Sequence, residues 1–144
     1  EFWDKEHLFY NNGDTTRRSL AEYRGKLLVL DFWFTGCTRC LLHQREIEYY
    51  KQKYKGKLAV IMVNSKNTKD NYAKIENLTK QEYYKKIGID TLISIIDDEY
   101  LFQLFQPNGW PAYCWINSDD LYQLRTFRNL LDRNYSAPFI DIIR

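Results

Sequence analysis

No stretch of this chain approaches the roughly 18 consecutive apolar residues that a membrane-spanning helix needs, and neither a repeat nor a low-complexity linker interrupts it. Cysteine is scarce. There are three in 144 residues, Cys37, Cys40 and Cys114, too few for a disulfide scaffold, and the odd count leaves one over if the other two pair. An excess of charge of one sign is also missing: 21 Lys+Arg stand against 19 Asp+Glu, a formal net charge of +2. With no dense Lys/Arg cluster to offset that balance, there is no electrostatic case for a nucleic-acid partner. The short pair Arg17-Arg18 is ordinary solvated surface. No signal peptide is visible, and the chain opens at Glu1 without a methionine. It is therefore expected to be a processed or excised piece, soluble in itself, of a protein whose full length has room for a membrane tether. What is present is apolar matter: hydrophobic residues make up 44% and aromatics 17%. That composition excludes disorder, and the length suits one packed domain spanning 1–144.

The apolar pattern predicts alternating strands and helices. Asn11-Asn12-Gly13-Asp14 is a turn signal joining two short strands, near Glu6–Tyr10 and Thr15–Ser19. After Gly25, Leu27-Leu28-Val29-Leu30-Asp31-Phe32-Trp33 is nearly unbroken apolar sequence, as in a strand buried on both faces. Cys37 to Tyr54 has helical spacing and is expected to end near Gly56. Leu58 to Val63 is a second buried strand, and strand–helix–strand order implies a right-handed crossover and a parallel pair. Lys69 to Lys86 is predicted to be helical with a break near Asn77-Leu78-Thr79, and Thr91–Ile96 a short strand. Asp97 is the expected cap of a helix over Glu99–Phe105. Pro111 to Ile116 is a third strand. Asn117-Ser118-Asp119-Asp120 is a hairpin turn before a returning strand at Leu121–Phe127. The tail after Arg128 is expected to be helical, with Pro138 interrupting it. The fold class is α/β, a sheet flanked by helices.

Chemistry concentrates at Cys37-Thr38-Arg39-Cys40, directly after the first buried strand and opening a helix. Two cysteines three positions apart on a first helical turn bring their sulfurs into bonding range. The unpaired N–H groups there stabilise a thiolate at the first of them. Cys37 is thus the nucleophile and Cys40, further in, the resolving thiol. Arg39 adds positive charge that favours the thiolate and is expected, with Trp33, Trp110 and Pro111, to contact the substrate. Two other readings remain at this point: two reduced structural thiols, or a metal site from Cys37, Cys40, His43 and Cys114, although no second close Cys/His pair completes it. Asp31 interrupts an apolar strand six positions before Cys37. Burial there raises the carboxyl pKa, and a protonatable group beneath the pair could relay protons to and from Cys40. The ordinary alternative is an Asp at an exposed strand end. A cis peptide is expected before Pro111 if Trp110-Pro111 lies beside the cysteines; otherwise Pro111 is a trans residue opening a strand. Trp33 and Trp110 are the aromatics placed near the site, where they shield the thiols and contact a peptide.

Together these features resemble the thioredoxin superfamily, specifically its TlpA/ResA-like branch of extracytoplasmic bacterial oxidoreductases, from about Gly13 to Phe127. Gly25 to Trp33 is similar to the family's GKxxxxxFW strand, and Cys37-Thr38-Arg39-Cys40 takes the active-site place. Val60 to Asn64 matches the next strand, and Trp110 to Asn117 the cis-proline strand. The segment between them fits the branch's helix-and-strand insertion. The resemblance implies a thioredoxin-like fold, with a central mixed sheet flanked by helices, an N-terminal β-hairpin and an insertion before the cis-proline strand. It also implies attack of Cys37 on a substrate disulfide, resolution by Cys40, and β-type pairing of the substrate beside Pro111. Asp31 falls where thioredoxins keep a buried aspartate. The expected partners are protein disulfides or dithiols and an upstream redox partner. The expected place is outside the cytoplasm, in a bacterial periplasm or anchored facing it, and the direction that of a reductase. No cofactor and no metal are expected. The sequence departs from the family at Gly36, where Trp is common, at Thr38-Arg39, at Met62 in place of a lysine, and at Asn67, near the place of an active-site glutamate.

Two rivals share the fold. A non-catalytic interaction module would use the groove beside Pro111 to bind a partner chain. A peroxiredoxin needs a proline and Thr-x-x-Cys before its cysteine, whereas here Thr35 lies two residues before Cys37 with no proline ahead of it. Cys114 is expected to be a core thiol, His43 a packing or surface residue, and His7 carries no signal.

Overall fold

A computed structural model describes residues 1–120, 122–126, 131–132 and 135–136 of the chain. Among these residues, seven strands form one sheet in the order β2-β1-β5-β4-β3-β6-β7. They are β1 (His7–Asn11), β2 (Asp14–Arg18), β3 (Leu27–Trp33), β4 (Leu58–Ser65), β5 (Ile93–Asp98), β6 (Ala112–Ile116) and β7 (Tyr122–Thr126). The sheet is mixed: β3 runs parallel to β4, and β4 to β5, while β6 is antiparallel to β3 and β1 to β5. The N-terminal hairpin turns at Asn12 and Gly13, both with positive φ, as the Asn-Gly pair requires.

The central strands are buried along their whole length, which is why they read as continuous apolar runs. Alternation divides β3 between two layers. Leu28, Leu30 and Phe32 enter a core with Ala59, Ile61, Val63, Cys114 and Ile116, covered by helix α5 (Tyr100–Phe105). Leu27 and Val29 face the opposite layer with Ile47, Tyr50, Tyr113 and Trp115. Helices α1 (Thr38–Leu42), α2 (Gln44–Lys53), α3 (Tyr72–Thr79) and α4 (Glu82–Ile87) contribute to that second layer.

Three local expectations change. The helix after Cys37 is not continuous: α1 and α2 meet at His43, where the Gln44 side-chain amide donates to the Cys40 carbonyl at 3.0 Å. Asp98, not Asp97, holds the start of α5. Its carboxylate accepts from the N–H groups of Leu101 (2.8 Å) and Phe102 (3.0 Å), while Asp97 takes a positive φ of 56°. In the tail, β8 (Leu131–Asp132) pairs antiparallel with β9 (Tyr135–Ser136) where a helix is expected. Asn134 and Pro138 are poor helix formers that weaken that expectation. The rest of the predicted tail helix, and the ends of the returning strand at Leu121 and Phe127, lie outside the described residues.

Candidate active site

The strand β3 ends at Trp33, and three residues carry the chain from it to the first cysteine. Phe34 to Cys37 form a turn closed by the Cys37 N–H on the Phe34 carbonyl at 3.0 Å. Cys37 caps α1, and Cys40 sits within its first turn. The two sulfurs are joined in a disulfide, with Cα atoms 5.3 Å apart. Exposure separates the pair: Cys37 is 8% exposed and Cys40 0%, so an incoming group meets Cys37 first. The Cys37 sulfur also accepts the Cys40 N–H at 3.2 Å. A helix of five residues has a small macrodipole, so this direct contact is the main stabilisation offered to a Cys37 thiolate. Arg39 is exposed on α1, where solvent weakens its influence.

Asp31 lies two residues before the end of β3, on the face that carries α2. It is fully buried, and burial pushes its carboxyl up to about 7. In register beside it are Met62 on β4 and Tyr113 on β6, neither of which offers a positive charge. Gln44 donates to Asp31 Oδ2 at 2.7 Å and, with the same amide nitrogen, to the Cys40 carbonyl. One side chain therefore ties the carboxylate to the backbone of the inner cysteine. Asp31 Oδ1 has no hydrogen-bond partner among the described residues, which makes it the natural seat of a proton. Tyr113 is also buried, and its hydroxyl lies 2.9 Å from His43 Nδ1. Burial and the neighbouring Asp31 hold the Tyr113 phenol neutral by raising its pKa. Gln44 and Met62 further line a cleft of about 670 Å³ that reaches Glu48 and Lys51.

Across the site, the peptide bond between Trp110 and Pro111 is cis. Ala112 pairs with Phe32, so Pro111 stands at the C-terminal end of β3, where the cysteine turn begins. Trp110 packs against the cluster containing Cys37 and Cys40 and meets Phe34 edge to face, with ring centroids 5.4 Å apart. The Phe34 ring folds back over Gly36, where a Cβ would lie 2.7 Å from its Cε2. A glycine at 36 thus gives the ring its place beside Trp110. From beneath, Asp70 holds the turn through Thr35, at 2.7 Å to its N–H and 2.8 Å to its hydroxyl.

No protein-family model matches the sequence, and no curated protein matches it. Solved structures do. An exposed lipoprotein thioredoxin from Streptococcus pneumoniae superposes with a TM-score of 0.65 at 20% identity, covering 87% of this chain and 90% of its own. A secreted disulfide oxidoreductase from Mycobacterium tuberculosis gives 0.63 at 10% identity, covering 98% and 92%. The thioredoxin domain of a thiol-disulfide oxidoreductase from Bacteroides vulgatus gives 0.65 at 12% identity, covering 97% and 93%. The chain has a thioredoxin fold.

Within that thioredoxin fold, Cys37, Cys40, Trp110 and Pro111 lie at the C-terminal end of β3, and Asp31 lies two residues inside it. Trp33 does not reach the surface. It is fully buried, its Nε1 donates to Ser94 Oγ at 2.9 Å, and it backs the cysteines from within. It is closed to an incoming peptide, whereas Phe34 and Trp110 are only half-buried. Cys114 packs in the α5-side core, beside Leu30 and across the sheet from the redox pair. The metal set of Cys37, Cys40, His43 and Cys114 is therefore not assembled. Sequence reasoning missed Phe34, Gln44 and Asp70. Gln44 carried a signal, because it lies four residues after Cys40 and so on the same helical face.

Proposed function

We propose that this chain is a thiol–disulfide oxidoreductase that exchanges disulfides with protein substrates through Cys37 and Cys40. The observation that carries the reading is the internal Cys37–Cys40 bridge, in which Cys37 keeps a little exposed surface and Cys40 none. In the reducing direction, the Cys37 thiolate attacks one sulfur of the substrate disulfide. A mixed disulfide forms, and the other substrate sulfur leaves as a thiolate that takes a proton from water. Asp31, with a carboxyl pKa near 7, accepts the Cys40 proton, relayed through water. The Cys40 thiolate then attacks Cys37, releases the second substrate sulfur and closes the bridge. Two electrons have passed to the substrate. An upstream dithiol partner restores the reduced pair.

A base poised beside the inner cysteine serves the resolving step, which supports action as a reductase. The cleft brings solvent to Gln44, the residue that holds the Asp31 carboxyl. Trp110, Pro111 and Phe34 form the rim on which a peptide would lie, paired with the backbone beside Pro111. The similar structures include a secreted protein and an exposed lipoprotein, which supports a place outside the cytoplasm, in a bacterial periplasm or tethered facing it. The test is reduction of insulin disulfides with dithiothreitol as the electron source. The wild type should turn over and Cys37→Ser should fall to background. Equal inactivity of both, with two unreactive thiols in the reduced wild type, would favour the binding-module reading.

A further inference from the structure

The turn before Cys37 is anchored by a carboxylate 35 positions away. Asp70 is 8% exposed and accepts three hydrogen bonds from the site: Thr35 N–H at 2.7 Å, Thr35 hydroxyl at 2.8 Å and Asn64 Nδ2 at 2.9 Å. Asn64 belongs to the end of β4, next to β3. Asp70 is itself fixed, its N–H donating to Thr68 Oγ1 at 3.1 Å while that hydroxyl donates to the Ser65 carbonyl at 2.7 Å. A continuous chain of hydrogen bonds thus runs from the rigid end of β4 to the second residue of the Phe34–Cys37 turn. Each bond to the carboxylate is charge-assisted and largely shielded from water, the condition under which such bonds hold geometry best.

We propose that Asp70 is a positioning residue for Cys37, holding its sulfur where the Cys40 N–H reaches it. The inference rests on the reading of Cys37 as the nucleophile. That N–H is 3.2 Å from the Cys37 sulfur and strengthens as a hydrogen bond once the sulfur is a thiolate. A turn freed from Asp70 lets the sulfur drift from its donor. The thiolate is then less stable, the Cys37 pKa rises, and the pair becomes more reducing because its reduced form has lost stabilisation. The charge of Asp70 acts in the opposite sense, since a nearby carboxylate disfavours a thiolate. Two variants separate these effects. Asp70→Ala removes clamp and charge together. Asp70→Asn removes the charge but keeps an oxygen for the Thr35 N–H.

The experiment measures the Cys37 thiol pKa from the pH dependence of iodoacetamide alkylation, and the potential of the pair against glutathione. Asp70→Ala should slow alkylation at pH 7 by roughly three- to tenfold and shift the pair to a more reducing potential. Asp70→Asn should stay within about twofold of wild type or react faster. A purely structural role would lower the unfolding midpoint and leave both thiol readouts at wild-type values, which overturns the proposal. If Asp70→Ala does not fold, Thr35→Val, which removes only the hydroxyl bond, should show a smaller shift in the same direction; no shift there also overturns it. The thiol is read directly, so failure of the wild type to reduce insulin would strike the exchange reading and leave the Asp70 comparison in force.

Discussion

The two faces of β3 are built to different ends. Leu28, Leu30 and Phe32 look into a core whose described members are apolar or, like Cys114, behave as small apolar groups. One residue over, the opposite face carries Asp31, in register with Tyr113 and joined through Gln44 to the Cys40 carbonyl. Both faces are equally dry. On the first, burial stabilises through removal of apolar surface from water. On the second, the same dryness is turned against a carboxylate and sets its pKa near neutrality. The two environments differ by a single step in a strand, because alternation sends neighbours to opposite layers.

Substitutions on the two faces should therefore separate stability from redox chemistry. The largest effect belongs to the apolar face. Leu30→Ala should lower unfolding stability by about 2–5 kcal/mol in urea titrations while leaving the potential of the Cys37–Cys40 pair unchanged. A shift in potential would mean that the faces are coupled.

Asp31→Asn should do the reverse. The Asp31 carboxyl is raised from 3.8 to about 7 in the folded protein, so its ionised form opposes folding. Below about pH 4 the group costs nothing relative to an amide. As pH rises from about 4 to 7 the unfolded chain ionises while the folded one resists, and stability falls; above about 7 the loss is complete. Asp31→Asn removes that slope, so it should stabilise by roughly 2–4 kcal/mol at pH 8 and by little at pH 4. Insulin reduction should slow, and its pH dependence near 7 should flatten. Equal stabilisation at both pH values would contradict the burial argument.

The smallest effect is expected at the third sulfur. Cys114→Ala should cost about 1 kcal/mol of packing and leave turnover and potential at wild-type values, measured in parallel with Leu30→Ala.

The sequence carried the local parts of this architecture well. The strand at Leu27–Trp33, the cysteine pair at its end and the proline opening β6 are contiguous patterns, and Asp31 is conspicuous because it breaks an apolar run. Alternation even held an answer that was read wrongly. Trp33 shares its parity with Asp31 and so points under the helices rather than toward a peptide. What could not be read is what the fold brings together from afar. Thr35 and Asp70 are 35 positions apart, and no local pattern pairs them. The break at His43 coincides with a long-range contact, the Gln44 amide on the buried Asp31 carboxylate, that the unbroken helical spacing does not reveal. Asp97 and Asp98 are adjacent and chemically identical as caps; only the backbone's turn to positive φ at Asp97 decides between them.

The central claim is that Cys37 is the sulfur attacked by and attacking the substrate, with Cys40 closing the exchange. Cys40→Ser should therefore accumulate a mixed disulfide with a model peptide disulfide, mapped by mass spectrometry to Cys37. Adduct at Cys114, or none on a folded Cys40→Ser protein that retains a free Cys37 thiol, would contradict the account.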